Sequence, residues 1–278
     1  MAQYLPQATT RPGDVRGHRL GTRRGAGECL SVCTIIAALG LSPQWPVLLA
    51  SVRDESVARP WQAPAAHWPE QHPQVIGGLD LQSGGTWLAL DVHQHRASFL
   101  VNRPEHLAGK TRSRGELPLI ALQAPAQRWD ADSLSQYNGF ILGLADANGL
   151  VLHQWDTRTL RSVHLGKGLH GLCYRGIGED HPRLARHLPR FAASPLPRPL
   201  ATASPAQAWG RWLHLLADGG QYSSADDALM WRRDVEGGPW ASQSAACLAL
   251  GKQQSRLDFS ASPLDPTSWR NLPSPLSH

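Results

Sequence analysis

The stretch "LSVCTIIAAL", residues 30–39, decides the fold. From Cys33 to Leu39 the run is mainly apolar and rich in isoleucine, the pattern of a strand buried on both faces. "PQWP", residues 43–46, supplies a turn, and "VLLASV", residues 47–52, a second buried strand. Together they predict a hairpin. A cysteine stands at the front edge of its first strand. The residues before it look different: 1–28 are rich in Gly, Arg and Thr and have no apolar periodicity, so they read as disordered.

Working outward, strands are expected at 86–90 and 97–102, joined by a polar turn. A helix follows from Ser113, with Pro118 tolerated in its first turn. "GFILGLAD" and "GLVLHQWD" make a hairpin turning on residues 147–149. "RSVHL" and "GLHGLCY" continue the strands, and "EDHPRLARHL" begins a short helix. A longer helix is expected over 204–220, with Ser204 as N-cap and Pro205 at its first position. Its Trp209, Trp212, Leu213 and Leu216 share one face, which reads as core. "SAACLALG" and "SRLDFS" are the last strands. Residues 59–85, with four prolines and two Gly-Gly pairs, read as irregular. The expectation is one α+β domain over 33–260. Residues 1–32 are an extension and 261–278 a frayed Pro/Ser-rich tail.

Composition narrows the function classes. Four cysteines without a CxxC pair argue against a disulfide scaffold or zinc ribbon and suggest a reduced, cytoplasmic chain. Only three lysines accompany the many arginines; with abundant Ala, Pro and Gly, this bias suggests a GC-rich bacterial genome. The net charge is +5, but Arg11, Arg16, Arg19, Arg23 and Arg24 against Asp14 and Glu28 place +3 of it in residues 1–32. A body this near neutrality gives no electrostatic reason for nucleic-acid binding. No apolar run is long enough for a transmembrane helix. Arg23-Arg24 resembles a twin-arginine leader, but Glu28 interrupts the approach and no A-x-A site follows. The oligomeric state is open.

Cys33 is a candidate nucleophile if something activates its thiol. No histidine is assigned to it. If the chain began at Cys33, its α-amino group, with an ordinary pKa of about 7.7–8.0, would serve as base. The peptide bond to Val32 forbids that. A GTG start codon read as internal would be written as Val32; initiation there, then loss of Met, would free Cys33. Autocatalytic cleavage is the less economical alternative. Arg53, Asp54 and Glu55 follow the second strand. A guanidinium there favours a thiolate and holds a carboxylate or carbonyl oxygen, while Asp54 can orient an ammonium. The alternative is a solvated loop carrying a surface ion pair. Asp91, His93 and His95 have a metal-like spacing, but they fall at a turn with no fourth ligand, so no metal is expected. Gly84-Gly85 reads as a tight turn before Trp87.

A set of short motifs goes further: Arg53-Asp54-Glu55, Arg59-Pro60, Leu79-Asp80, "GGTWL" at 84–88, Asn102, "SRGEL" at 113–117 and "YNGF" at 137–140. From Cys33 to about Phe259 the chain resembles the NRDE family, named for an Asn-Arg-Asp-Glu motif and including the animal transport and Golgi organisation protein two. In that family the motif cysteine directly follows the initiator methionine, the place Cys33 occupies here. The family is similar to N-terminal-nucleophile hydrolases of the cholylglycine hydrolase and penicillin acylase type. The resemblance implies a four-layer αββα sandwich of antiparallel sheets. It implies that Cys33 attacks an amide or ester carbonyl of a small molecule, that Arg53 and Asp54 position amine and substrate, and that Asn102 steadies the oxyanion. Glu55, Asp80, Gly85, Trp87 and Asn138 would lie on the substrate side. No cofactor is implied for catalysis. A link of animal relatives to haem handling implies the other reading, a non-catalytic carrier of haem or an acyl lipid, towards which the eleven tryptophans lean. Three departures bear on catalysis. Val52 stands where the family has its first motif Asn, Cys173-Tyr174 replaces its Ser-Asn, and "WASQS" around Ser242 lacks its late arginine.

Overall fold

The computed structural model describes residues 33–272 apart from 110, 126–127 and 179. The proposed extension 1–32, the start-site reading at Val32 and the end of the tail lie outside the described residues. Strands β1 (Thr34–Leu39) and β2 (Val47–Ser56) form the expected hairpin, pairing Thr34 with Val52 and Leu39 with Val47. Then come β3 (Trp61–Ala65), β4 (Val75–Asp80), β5 (Leu88–Asp91) and β6 (Arg96–Asn102). A 3-10 turn at Arg114–Glu116 leads into α1 (Leu117–Gln123), followed by α2 (Ala131–Leu134). The strands β7 (Phe140–Asp146), β8 (Gly149–Trp155) and β9 (Leu160–Leu165) complete a seven-stranded antiparallel meander, β3 to β9 in chain order.

The rest of the chain returns to the first hairpin. It comprises β10 (Gly168–Cys173), β11 (Gly176–Ile177), α3 (Pro182–Ala192), α4 (Pro205–Trp209), α5 (Arg211–Leu216), β12 (Arg232–Val235), β13 (Gly238–Leu250), β14 (Ser255–Ser260) and β15 (Arg270–Leu272). The sheet order is β11-β10-β1-β2-β13-β14-β15, with β12 paired to β13. Strands from both ends of the described chain therefore share its centre.

Alternation along β1 and β2 creates two apolar layers, because successive side chains leave opposite faces of a sheet. Ile35, Leu49 and Leu248 pack against Ile76, Leu90, Phe99 and Leu152 of the meander. Ile36, Leu48 and Cys247 face the other way, onto Leu184 and Phe191 of α3, Trp209 of α4 and Trp212 and Leu216 of α5. On the outer face of the meander, Phe140, Leu142 and Trp155 pack with Leu117 and Ala121 of α1 and Leu134 of α2. Each fully buried large aliphatic side chain contributes roughly 1.5–3 kcal/mol of transfer free energy. The result is a sheet-rich α+β architecture with helices outside two facing sheets. Among the described residues, no helix is long and apolar enough to cross a membrane.

Four local expectations are corrected. Residues 59–85 are not irregular: β3 and β4 lie there. Pro64 is tolerated because β3 is an edge strand, where a missing N–H leaves no ladder bond unmade. Gly78 of β4 is required because a Cβ would lie 2.2 Å from the Trp87 ring. The helix expected over 204–220 breaks at Gly210, whose φ of 50° and ψ of −121° are non-helical. Its N-cap Ser204, Pro205 in its first turn and its buried tryptophans stand as read, and Gln207 completes a capping box with Ser204. "WASQS" lies inside β13, with a register shift between Ser242 and Ser244. The segment from 261, expected to fray, buries Trp269 and adds β15 to β14.

Candidate functional site

A cleft of about 400 Å³ opens beside Cys33. Its walls include Arg53 and Glu55 of β2, Asp80 at the end of β4, Asn102 at the end of β6, Trp87 and Asn138. These are positions that the sequence motifs singled out, brought together from five separate segments. Arg59, Arg112, Arg114 and Trp240 also line it and were not foreseen as site residues. The signal for Arg59 was present in the Arg-Pro motif; Trp240 is carried in by β13.

Arg53 is 5% exposed and sits over Trp87, its guanidinium carbon 4.3 Å from the ring centroid. That geometry is a cation–π contact. Its Nη2 lies 3.7 Å from Glu55 and 3.9 Å from Asp80, while Nη1 is buried without a hydrogen-bond partner among the described residues. Burial pulls the Arg53 pKa down, with Glu55 the strongest opposing influence. Arg59 Nε donates to Asp80 Oδ2 at 2.5 Å. Asp80 Oδ1 accepts the backbone N–H groups of Gln82 and Ser83, each at 3.0 Å. Desolvation pushes Asp80 up, but the Arg59 bond and charge outweigh it and hold the carboxyl below its usual range.

The "GGTWL" and "SRGEL" motifs meet in space. Thr86 N–H donates to the Gly115 carbonyl at 2.8 Å, and a Cβ on Gly85 would lie 2.3 Å from the Gly115 carbonyl carbon. Gly85 therefore does not touch the cleft; it supports the wall behind it. Asn138 lines the cleft and also accepts the Leu107 N–H at 2.8 Å, fixing the loop after β6.

Cys33 precedes β1 directly and is partly buried. Its Sγ donates to the Asp54 carbonyl oxygen at 3.6 Å. Burial first, then the Asp54 charge, push the thiol up to about 11. At neutral pH it is protonated and needs a base to act as a nucleophile. Among the described residues, no histidine lines the cleft.

Asp54 is not where the sequence reading put it. It lies beneath the cleft with 0% exposure, and its carboxylate is engaged from the protein side. Arg183 Nη1 donates to Oδ2 at 2.6 Å and Ser242 Oγ to Oδ1 at 2.5 Å. Burial pushes the Asp54 pKa up, against the nearby Arg183 charge and these bonds. Arg183 also donates to Thr34 Oγ1 at 3.0 Å. Sequence reasoning missed Arg183 entirely. It stands 129 residues from Asp54, and its only local sign is its place after Pro182 in a helical first turn.

The three departures have defined surroundings. Val52 packs in the helix-side core. Tyr174 meets His181 edge-on at 5.5 Å and accepts from Arg175 Nε at 3.1 Å. Ser242 holds Asp54 and accepts the Trp231 N–H at 3.0 Å. Asp91, read as part of a polar turn, accepts the N–H groups of His93 and Gln94 at 2.9 and 2.8 Å.

Two facing sheets with a cysteine at the head of a central strand, opening on an arginine-lined cleft, describe a class of architecture. Within it the family can be named. The family model for Transport and Golgi organisation 2 matches residues 32–195, and the chain belongs to that family. No curated protein matches it.

Proposed function

We propose that this protein is a cysteine hydrolase of the N-terminal-nucleophile type, acting on an amide or ester bond of a small molecule. The observation that carries the reading is the convergence of Cys33, Arg53 and Asn102 on one cleft. The facing sheets with helices outside support the finer fold assignment, an αββα sandwich of that class.

The chemistry follows from the thiol. With a pKa of about 11 it is inert at neutral pH until a base takes its proton. Cleavage of the Val32–Cys33 bond, or initiation at position 32 followed by removal of the Met, would supply the α-amine as that base. Sγ then bonds to the substrate carbonyl carbon, and Asn102 donates to the oxygen where negative charge develops. The tetrahedral intermediate collapses, the C–N or C–O bond breaks, and the leaving group takes the proton from the ammonium. Water hydrolyses the thioester and regenerates Cys33. Arg53 Nη1 is available to hold a substrate oxygen.

Haem or an acyl lipid fits this cleft less well. Among the described residues, its lining combines four arginines with Glu55 and Asp80 and contains no histidine or methionine. A small polar ligand matches those groups. Catalysis through a free thiol is suited to a reducing compartment, in keeping with a cytoplasmic protein.

The test uses protein expressed with Cys33 as its first residue after Met removal, the same protein retaining Val32, and Cys33→Ala. p-Nitrophenyl acetate should acylate only the first at Cys33, read by intact mass. Equal acylation of all three would sink the proposal. Intact mass of protein from the native locus tests the start: a mass including residues 1–32 overturns the free-amine step.

A further inference from the structure

Cys33 has a positional problem that the hydrolase reading does not address. It lies outside the β1–β2 ladder, whose first pair is Thr34 with Val52. If Cys33 is the first residue, the nucleophile stands on a chain terminus, and termini fray unless tied down. A displacement of about 1 Å at a reacting group costs on the order of a hundredfold in rate. Something must hold the strand end.

Arg183 is in place to do so. It enters from the first turn of α3 and is 1% exposed. Its Nη1 reaches two groups at once, Thr34 Oγ1 at 3.0 Å and Asp54 Oδ2 at 2.6 Å. Thr34 is the residue after the nucleophile, and Asp54 carries the carbonyl that accepts the Cys33 thiol. One guanidinium therefore grips both strands beside Cys33. Ser242 of β13 steadies the second oxygen of the same carboxylate at 2.5 Å. A planar guanidinium suits this better than an ammonium, because its donors have a fixed geometry.

We infer that Arg183 is a positioning residue that clamps the head of β1 and sets the approach of Cys33 to its substrate. This inference rests on the hydrolase reading, and it gives Asp54 a place in the reaction different from direct contact with substrate: anchoring the clamp.

The experiment compares Cys33-started wild type with Thr34→Val, Thr34→Ser and Arg183→Lys. Thr34→Val removes the acceptor hydroxyl at nearly constant shape, and Thr34→Ser restores it. Two readouts are taken on each: burst acylation of Cys33 by p-nitrophenyl acetate across probe concentrations, and amide hydrogen exchange at residues 34–36. In Thr34→Val and Arg183→Lys, the saturating burst rate should fall about tenfold or more with half-saturation nearly unchanged, as expected for lost positioning. Exchange at 34–36 should accelerate in both, and Thr34→Ser should behave as wild type. Folded Thr34→Val and Arg183→Lys proteins with wild-type burst rates overturn the inference, whatever their exchange. If wild-type Cys33 is not acylated at all, the hydrolase reading fails. The clamp then stands or falls on exchange alone: unchanged protection in Thr34→Val removes it. Should Arg183→Lys fail to fold, the two Thr34 variants decide.

Discussion

Gly85 and Gly115 touch backbone to backbone, with the Thr86 N–H bonded to the Gly115 carbonyl at 2.8 Å. The contact joins the turn before β5 to the 3-10 turn before α1, and so braces one wall of the cleft. A methyl group on Gly85 has no room, since it would fall 2.3 Å from a backbone carbon that cannot rotate away. Gly85→Ala should therefore destabilise the fold by about 1–3 kcal/mol, the usual cost of overpacking. Denaturant unfolding measures it, and a midpoint equal to wild type would contradict the interlock.

Gly78 makes a different kind of room. The Trp87 ring occupies the space above it, 2.2 Å from an ideal Cβ, and carries Arg53 on its face at 4.3 Å. Gly78→Ala should displace the ring and loosen Arg53. The expected outcome is slower acylation of Cys33 by at least about fivefold, in line with a cation–π contact worth roughly 1–2 kcal/mol when desolvated. A shift in tryptophan emission should accompany it.

The Arg183–Asp54 pair is buried on both sides, at 1% and 0% side-chain exposure. Removing one partner leaves a charge without its mate in the interior, which costs about 3–5 kcal/mol. Arg183→Met should lower thermal stability strongly. The double change with Asp54→Leu should cost less than the two single effects summed, because the orphaned charge disappears. A thermodynamic cycle with no coupling would refute the pairing.

His181 predicts a pH dependence. It caps α3, its Nδ1 accepting the Arg183 N–H at 3.2 Å. Burial first, then the charges of Arg183 and Arg175, depress its pKa to about 4 from an ordinary 6.5. Above pH 6.5 the imidazole is neutral folded and unfolded, so its contribution is fully present there. As pH falls through 6.5 towards 4, the unfolded chain binds the proton first, and stability drops by roughly 2–3 kcal/mol. His181→Asn keeps a capping side chain without the titration. Unfolding at pH 7 and pH 5 should show a smaller loss in that variant.

The hairpin at Cys33 was legible because isoleucine and leucine on both faces of a short run admit few alternatives to a central strand. The N-cap at Ser204 was legible for a similar reason, since a serine directly before a first-turn proline is a local signal. The break at Gly210 was not, because a glycine within a helical pattern is tolerated or not according to what surrounds it. Nor were β3 and β4. Prolines and glycines signal irregular chain, and only an edge position and a tryptophan lying across Gly78 make them strand residues.

The same division runs through the site. The sequence by itself determined the central hairpin, the family to which the chain belongs, and Cys33, Arg53, Glu55, Asp80, Trp87, Asn102 and Asn138 among the residues that line the cleft, because these are carried by local pattern and short motifs. Tertiary structure alone decided what Asp54 does. Its partners Arg183 and Ser242 lie 129 and 188 residues away, and no local pattern encodes a carboxylate's distant partners. A buried charge takes its role from whatever the fold packs against it, since the interior gives it no water to fall back on.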